Sequence, residues 1–136
     1  MTEAVSIEHI NKDFSIGDGR SNRVIHDVSC TVRMGELTML VGPSGCGKST
    51  LLHTILGLEK PDKGRVFLRG KSLYRMREDK RSYWRREKVG MVFQQSNWIK
   101  ALTVLENVSY PLLLVESDKK KIRDRALEML KWVGMD

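Results

Sequence analysis

One octapeptide restricts what this chain can fold into more than any other stretch. Gly42-Pro43-Ser44-Gly45-Cys46-Gly47-Lys48-Ser49 satisfies the spacing G-x-x-x-x-G-K-[ST]. Such a run belongs between a strand and a helix, and its flanks agree with that. Leu37 to Val41 is an apolar run of strand length, and Leu51, Leu52, Ile55 and Leu58 follow Lys48 at helical spacing. The residue types then dictate a chemistry. Gly42, Gly45 and Gly47 permit backbone torsions closed to other residues, so that main-chain N–H groups converge on one anion. A helix starting near Lys48 adds unpaired N–H groups and the positive end of its dipole. The Lys48 ammonium is expected to reach the β- and γ-phosphates of a nucleotide. The Ser49 hydroxyl is expected to ligate Mg²⁺, a hard ion that takes oxygen donors. The bland alternative is a glycine-rich turn. With Gly at about 7 % of residues, a chance match is on the order of one in a hundred.

The 136 residues suit one domain, with 40 % hydrophobic and 30 % charged residues, ordinary for a globular protein. No apolar run nears the ~20 residues of a membrane-spanning helix, and the first ten residues lack the basic and apolar segments of a secretory signal. Cys30 and Cys46 fall in an expected strand and in the glycine-rich loop, so no disulfide is expected and a reducing compartment is the default. The net charge of +7 is uneven: residues 60–88 carry twelve Lys/Arg against four Asp/Glu, and the remainder sums to −1. Such a patch could attract nucleic acid or an anionic lipid surface, but a solvated, charge-rich connector is the simpler reading. The patch has few aromatic residues and no nucleic-acid motif.

In chain order, Val5 to Phe14 alternates as a half-exposed strand, with Val5, Ile7 and His9 on one face and Ser6, Glu8 and Ile10 on the other. A turn over 15–22 precedes a second alternating strand, Val24 to Val32; together they predict an antiparallel edge. Phe14 ends the first strand, where an aromatic is a core residue or a base-stacking one. His9, His26 and His53 show no metal-ligand spacing. Pro61-Asp62-Lys63-Gly64 is a turn, Arg65 to Leu68 a strand, Arg69-Gly70 another turn, and Ser72 to Glu87 a charged helix or helix pair. Val89 to Phe93 reads as a buried strand, followed by a polar loop over 94–101 that leaves Trp98 and Ile99 exposed. Thr103 and Glu106 form a capping box for a helix from about Val104, which Pro111 kinks or ends. Ser117 opens a last helix with Ile122, Ala126, Met129, Leu130 and Val133 on one face, closed by Gly134.

Taken together these residues resemble the nucleotide-binding subunit of ABC transporters. The resemblance is carried by Asp27-Val28-Ser29, Gly35-Glu36, the loop from Gly42 through Thr50, Leu56-Gly57-Leu58 and Pro61 to Gly64. Val89 to Gln95 and Leu102 to Val108 extend it. The last two, with Tyr110 to Leu114, look closest to the lipoprotein-release and macrolide- or peptide-export branch. The resemblance implies an α/β P-loop NTPase fold, here partial: an antiparallel β edge, an incomplete parallel core sheet with helices, and the start of the helical subdomain. It implies ATP and Mg²⁺ as cofactors. ATP contacts are implied for Gly42, Pro43, Ser44, Gly45, Cys46, Gly47, Lys48, Ser49 and Thr50, and catalytic roles for Lys48 and Gln94. Gln94, which spacing alone would leave an ordinary loop amide, matches the glutamine that touches Mg²⁺ and the attacking water; Ser49 is the other metal ligand. Phe14 matches the aromatic that stacks on adenine, where Tyr is more usual. The loop from Trp98 to Leu102 corresponds to the groove that receives a coupling helix of the membrane subunit.

In the family the last helix is followed by L-S-G-G-Q, by a strand ending Asp-Glu and by a His, none of which occurs in this sequence. The resemblance therefore implies that residues 1–136 are the front part of one nucleotide-binding domain, gripping ATP without the means to cleave it. It also implies a membrane-spanning permease subunit, a second nucleotide-binding subunit head to tail, and a place at the inner face of the cell membrane. The expected function is an ATP-binding subunit driving export, with no hydrolysis by this chain alone. The competing readings are a soluble ABC-type ATPase acting on nucleic acid, and a non-catalytic nucleotide-binding remnant. Strands of the parallel core would be left without neighbours, which predicts a marginal or self-associating chain.

Overall fold

The computed structural model describes residues 3–95 and 97–135; Ser96, in the polar loop, lies outside the described residues. The chain divides into two compact units, one up to Arg85 and one from Arg86 onward.

The first unit is a sheet with helices. β1 (Glu3–Gly17) and β2 (Arg20–Arg33) form a long antiparallel hairpin, as the alternation predicted. β3 (Lys63–Leu68) pairs antiparallel with the other side of β1, and β4 (Lys71–Ser72) with β3, giving the order β2-β1-β3-β4. Between β2 and β3 runs α1 (Lys48–Ile55). A 3₁₀ turn over Leu73–Arg75 and α2 (Glu78–Lys88) follow β4, where the sequence suggested a charged helix or helix pair over Ser72 to Glu87.

The core is made where apolar residues of the sheet (Ile7, Ile10, Ile25, Val66 and Leu68) and Leu73 of the 3₁₀ turn meet Leu51 of α1. Simple alternation puts His9 beside Ile7 and Ile10 on the opposite face, yet Ile10 is fully buried and His9 exposed. The pairing of β1 with β2 slips between Ile7 and Ile10, His9 takes φ 51°, and Asp27 opposite takes φ 47°. This is a β-bulge, which inserts one residue and re-aims every side chain beyond it. Hydrogen bonds hold it: His9 Nδ1 lies 2.8 Å from Asp27 Oδ1, and the His9 N–H donates to Ser29 Oγ at 2.8 Å. Gly64 of β3 faces the same bulge at φ +95°, and a Cβ there would lie 2.4 Å from the His9 carbonyl oxygen.

Two expected core strands are corrected. Leu37–Val41 and Val89–Phe93 carry no strand ladder, and Leu37 (91 % exposed) and Val92 (99 % exposed) lie open to solvent. Apolar composition makes a segment fit for a buried strand, but a strand exists only where a neighbour satisfies its N–H and C=O groups. No parallel pair occurs among the described residues, so the sheet seen is the antiparallel edge alone.

In the second unit α3 (Val104–Ser109) begins at the predicted capping box: the Glu106 N–H donates to Thr103 Oγ1 at 3.3 Å, and the Thr103 N–H donates to Glu106 Oε2 at 2.7 Å. The Thr103 N–H, and after it the Thr103 hydroxyl donating at 2.8 Å, hold the Glu106 carboxyl below its usual range. Pro111 ends α3, and the chain continues as a 3₁₀ turn over Tyr110–Leu114. α4 (Lys119–Trp132) packs on α3 and buries Ile122, Ala126 and Leu130. Asp118, rather than Ser117, caps it, its carboxylate accepting from the Lys120 and Lys121 N–H groups. Val133, expected on the buried face, is 70 % exposed because the helix has ended before it.

Two outcomes test this packing. Gly64→Ala should unfold the first unit, whereas Gly70→Ala, also at positive φ but with nothing within 4 Å of a Cβ, should cost only ~1 kcal/mol in a urea melt. Tyr74, whose hydroxyl donates to the Thr54 carbonyl at 2.7 Å, is pushed up to about 12 by burial. Its neutral form is favoured in the fold, so its stabilisation is complete below pH 10 and is lost as pH rises toward 12. The stability advantage of the native chain over Tyr74→Phe should shrink across that window.

Candidate functional site

The glycine-rich loop leads into the first turn of α1, in the order the sequence predicted. A turn over residues 43–46 is closed by the Cys46 N–H donating to the Pro43 carbonyl at 3.4 Å. Gly47 is the N-cap in the left-handed region (φ 92°), and a Cβ there would lie 2.7 Å from the Val24 carbonyl of β2. Glycine therefore lets the loop sit directly against the hairpin. No side chain caps α1 at its N-terminus, so the first-turn amides lack the usual Ser, Thr or Asp partner. A helix start of that kind, with a cation beside it, is suited to an anion.

The Lys48 side chain supplies the cation. It bends back over the loop, Nζ donating to the carbonyls of Gly42 at 2.9 Å and Pro43 at 2.7 Å, with Cys46 Sγ at 3.7 Å. It is half-buried, as are Gly47 and Thr50, while Gly42, Pro43, Ser44, Gly45, Cys46 and Ser49 are exposed. All nine loop residues singled out from sequence thus lie together in one turn and helix start. Ser49 offers one hydroxyl oxygen in the first turn. That donor suits Mg²⁺, which keeps several waters and takes further ligands from phosphate.

The opposite end of α1 is tied down. Gly57 ends it in a Schellman arrangement, with the Leu58 N–H donating to the His53 carbonyl at 2.9 Å and the Gly57 N–H to that of Thr54 at 3.1 Å. Arg85 Nη1 donates to the Gly57 carbonyl at 2.9 Å and Tyr74 to that of Thr54. A guanidinium there also complements the negative end of the helix dipole.

Beside the loop is a cavity of about 360 Å³, lined among others by Val24, His26, Leu40, Cys46, Lys48 and Leu51. From sequence Val24 is only the start of the second strand and His26 only a histidine without metal-ligand spacing, and neither is assigned to the loop. Nothing in their local pattern marks them, since only the approach of β2 to Gly47 brings them to the loop.

Phe14 lies near the turn end of β1, paired with Asn22 and 38 % exposed, with Lys12 Nζ 5.1 Å from its ring centroid. It is therefore not a core residue. Gln94 lies exposed in a bend of the second unit, and the loop lies in the first. Trp98 (51 % exposed) and Ile99 (40 % exposed) are open to solvent as predicted. Trp98 lines a recess of about 210 Å³ with Asn97, Asn107 and Val108. Asn107 braces that segment, accepting from the Ile99 N–H at 2.8 Å and donating to its carbonyl at 3.1 Å.

Similarity to known proteins agrees with this geometry. A family model described as ABC transporter matches residues 25–136. MJ1508 of Methanocaldococcus jannaschii, described as an uncharacterized ABC transporter ATP-binding protein, is 42 % identical over 120 residues, 88 % of this chain and 54 % of that protein. The methionine import ATP-binding protein MetN 2 of Rhodococcus jostii is 38 % identical over 135 residues, 99 % of this chain and 39 % of that protein. The solved dimeric ATP-binding cassette MJ0796, in a post-hydrolysis state bound to ADP and Pi, superimposes with a TM-score of 0.85 at 36 % identity, over 93 % of this chain and 56 % of that one. The chain thus spans about half the length, or less, of these relatives. Taking the matched residues 25–136 with the glycine-rich loop they contain, this chain belongs to the ABC transporter family and carries part of its ATP-binding domain.

Proposed function

We propose that this chain is the ATP-gripping part of an ABC transporter's nucleotide-binding subunit, which couples ATP binding and hydrolysis to export of a substrate through a membrane-spanning partner. The observation that carries the proposal is the Gly47–Lys48 junction: an uncapped helix start with an ammonium folded over the loop that precedes it. In this reading the loop amides and Lys48 hold the β- and γ-phosphates of ATP, and Ser49 and Gln94 ligate Mg²⁺. Phe14 stacks on adenine, its partial exposure leaving ring surface for a base. When bound, Mg²⁺ neutralises charge on the β- and γ-oxygens. The chain's own part is to bind and orient. Lys48 exchanges its two carbonyl partners for phosphate oxygens, trading neutral acceptors for charged ones.

Export, rather than import, is supported by Val89 to Gln95, Leu102 to Val108 and Tyr110 to Leu114, which resemble the export branch. The exposed Trp98 and Ile99, braced by Asn107, suit a surface for the permease. The family also suggests a second nucleotide-binding subunit head to tail and a place at the inner face of the membrane; nucleic acid is not an expected partner. The sequence contains no L-S-G-G-Q, so cleavage of ATP is assigned to the complete assembly and not to these residues.

Lys48→Ala should weaken ATP binding by ~1.5–3 kcal/mol, about ten- to a hundredfold, in equilibrium titration; unchanged affinity refutes the cradle. The purified chain should show no ATP turnover above background, and sustained hydrolysis abolished by Lys48→Ala would overturn that assignment. Alkylation of Cys46, whose sulfur lies 3.7 Å from Lys48 Nζ, should block nucleotide binding, with ATP slowing its labelling relative to Cys30.

A further inference from the structure

We propose that the groove between β4 and α2 is a docking site for a short acidic peptide segment of a partner protein, anchored by one bulky apolar side chain. The groove has a volume of about 570 Å³ and is lined by Lys71, Met76, Asp79, Lys80, Tyr83 and Trp84. That size falls within the range of ligand sites, about 300–1,000 Å³. Its floor is apolar and fixed: Trp84 packs against the core of the first unit, and Met76 follows the 3₁₀ turn, its N–H donating to the Leu73 carbonyl at 3.2 Å.

The rim is cationic. Among the described residues no carboxylate lies within ion-pair distance of Lys71, Lys80, or Arg69 and Arg75 on the flanking turns. The one acid of the lining, Asp79, is exposed and 3.5 Å from Arg77 Nη2, and Lys71 and Lys80 outnumber it. Three further cations of α2 are committed elsewhere: Arg81 and Arg85 both pair with Glu78, Arg86 pairs with Glu87, and Arg85 also holds the end of α1. Charge complementarity therefore selects an anionic occupant for an apolar floor.

The shape and the state of the ring choose among anions. A bilayer is met by apolar side chains that protrude into it, whereas Met76, Tyr83 and Trp84 line a concavity. Single-stranded nucleic acid stacks successive bases on successive open aromatic faces, and of the two rings lining this groove Tyr83 alone is exposed (55 %). The Trp84 ring rests on the core and carries the Lys71 ammonium 5.6 Å from its centroid. An extended acidic segment meets the lysines along the rim and places one apolar side chain on the floor, the arrangement of a desolvated anchor within a polar border. The nucleotide cradle takes no part.

The test uses the full chain and a short fluorescein-labelled peptide of Asp and Glu with one central Phe, followed by anisotropy. Binding is expected, and it should weaken by at least about tenfold for the double variant Lys80→Glu, Tyr83→Ala, with ATP affinity and far-UV circular dichroism unchanged. Replacing the peptide's Phe by Ser should weaken binding to the native chain by a similar factor. Equal affinity for native and variant chains, or for the Phe and Ser peptides, overturns the proposal. So does a preference for phosphatidylserine vesicles or a single-stranded oligonucleotide over the peptide, if that preference is lost with the same variant.

Discussion

The two ends of α1 are treated oppositely, and the rest of the first unit follows from that. At its C-terminus the spare carbonyls are met by the Schellman turn at Gly57, by Arg85 and by the Tyr74 hydroxyl. At its N-terminus Gly47 offers no capping side chain, and Lys48 turns back onto the loop. A helix secured at its negative end and uncapped at its positive end keeps its dipole and amides available to an anion. Leu51, buried in the same helix, fastens it to the sheet, so the cradle rests on a rigid element.

The hairpin serves that cradle through close approach. The Val24 carbonyl lies against Gly47, and Gly64 lies against the bulge at His9. In both places a side chain would collide with backbone, which cannot move aside as a flexible side chain can. The bulge decides which residues of β1 point inward, placing Ile10 in the core and His9 at the surface beside Asp27. Cross-strand and turn contacts continue this bracing: Arg23 bonds Asp13 at 2.8 Å, and the Asp13 N–H donates to Asp62 at 2.7 Å. The Asp13 carboxyl is held below its usual range chiefly by the Arg23 hydrogen bond.

Leu37–Val41 and Val89–Phe93 show the reverse relation between sequence and surroundings. Each has strand composition and neither has a ladder. The family relatives are about twice as long as the part this chain matches, or longer. The antiparallel edge forms because β1 finds partners on both sides, at β2 and at β3. A helix closes its own hydrogen bonds, and α1 forms beyond the glycine-rich loop although Leu37–Val41 has no partner strand. Backbone pairing within a helix is local, and in a sheet it is not.

The sequence by itself determined the glycine-rich loop ahead of a helix, the hairpin, the capping box at Thr103 and the stop at Pro111. Each of these is a local rule: a glycine torsion, a period of two, a side-chain oxygen three residues from an amide, a missing N–H. It also determined the family, because the loop and its flanking motifs have a fixed spacing. Tertiary structure alone decided that Ile10 and not His9 enters the core, that Val24 and His26 border the loop, and that Phe14 is partly exposed. It alone brought Tyr74 and Arg85 to the end of α1 and left two apolar segments without ladders. These depend on register and on partners far along the chain, which no window of neighbouring residues contains.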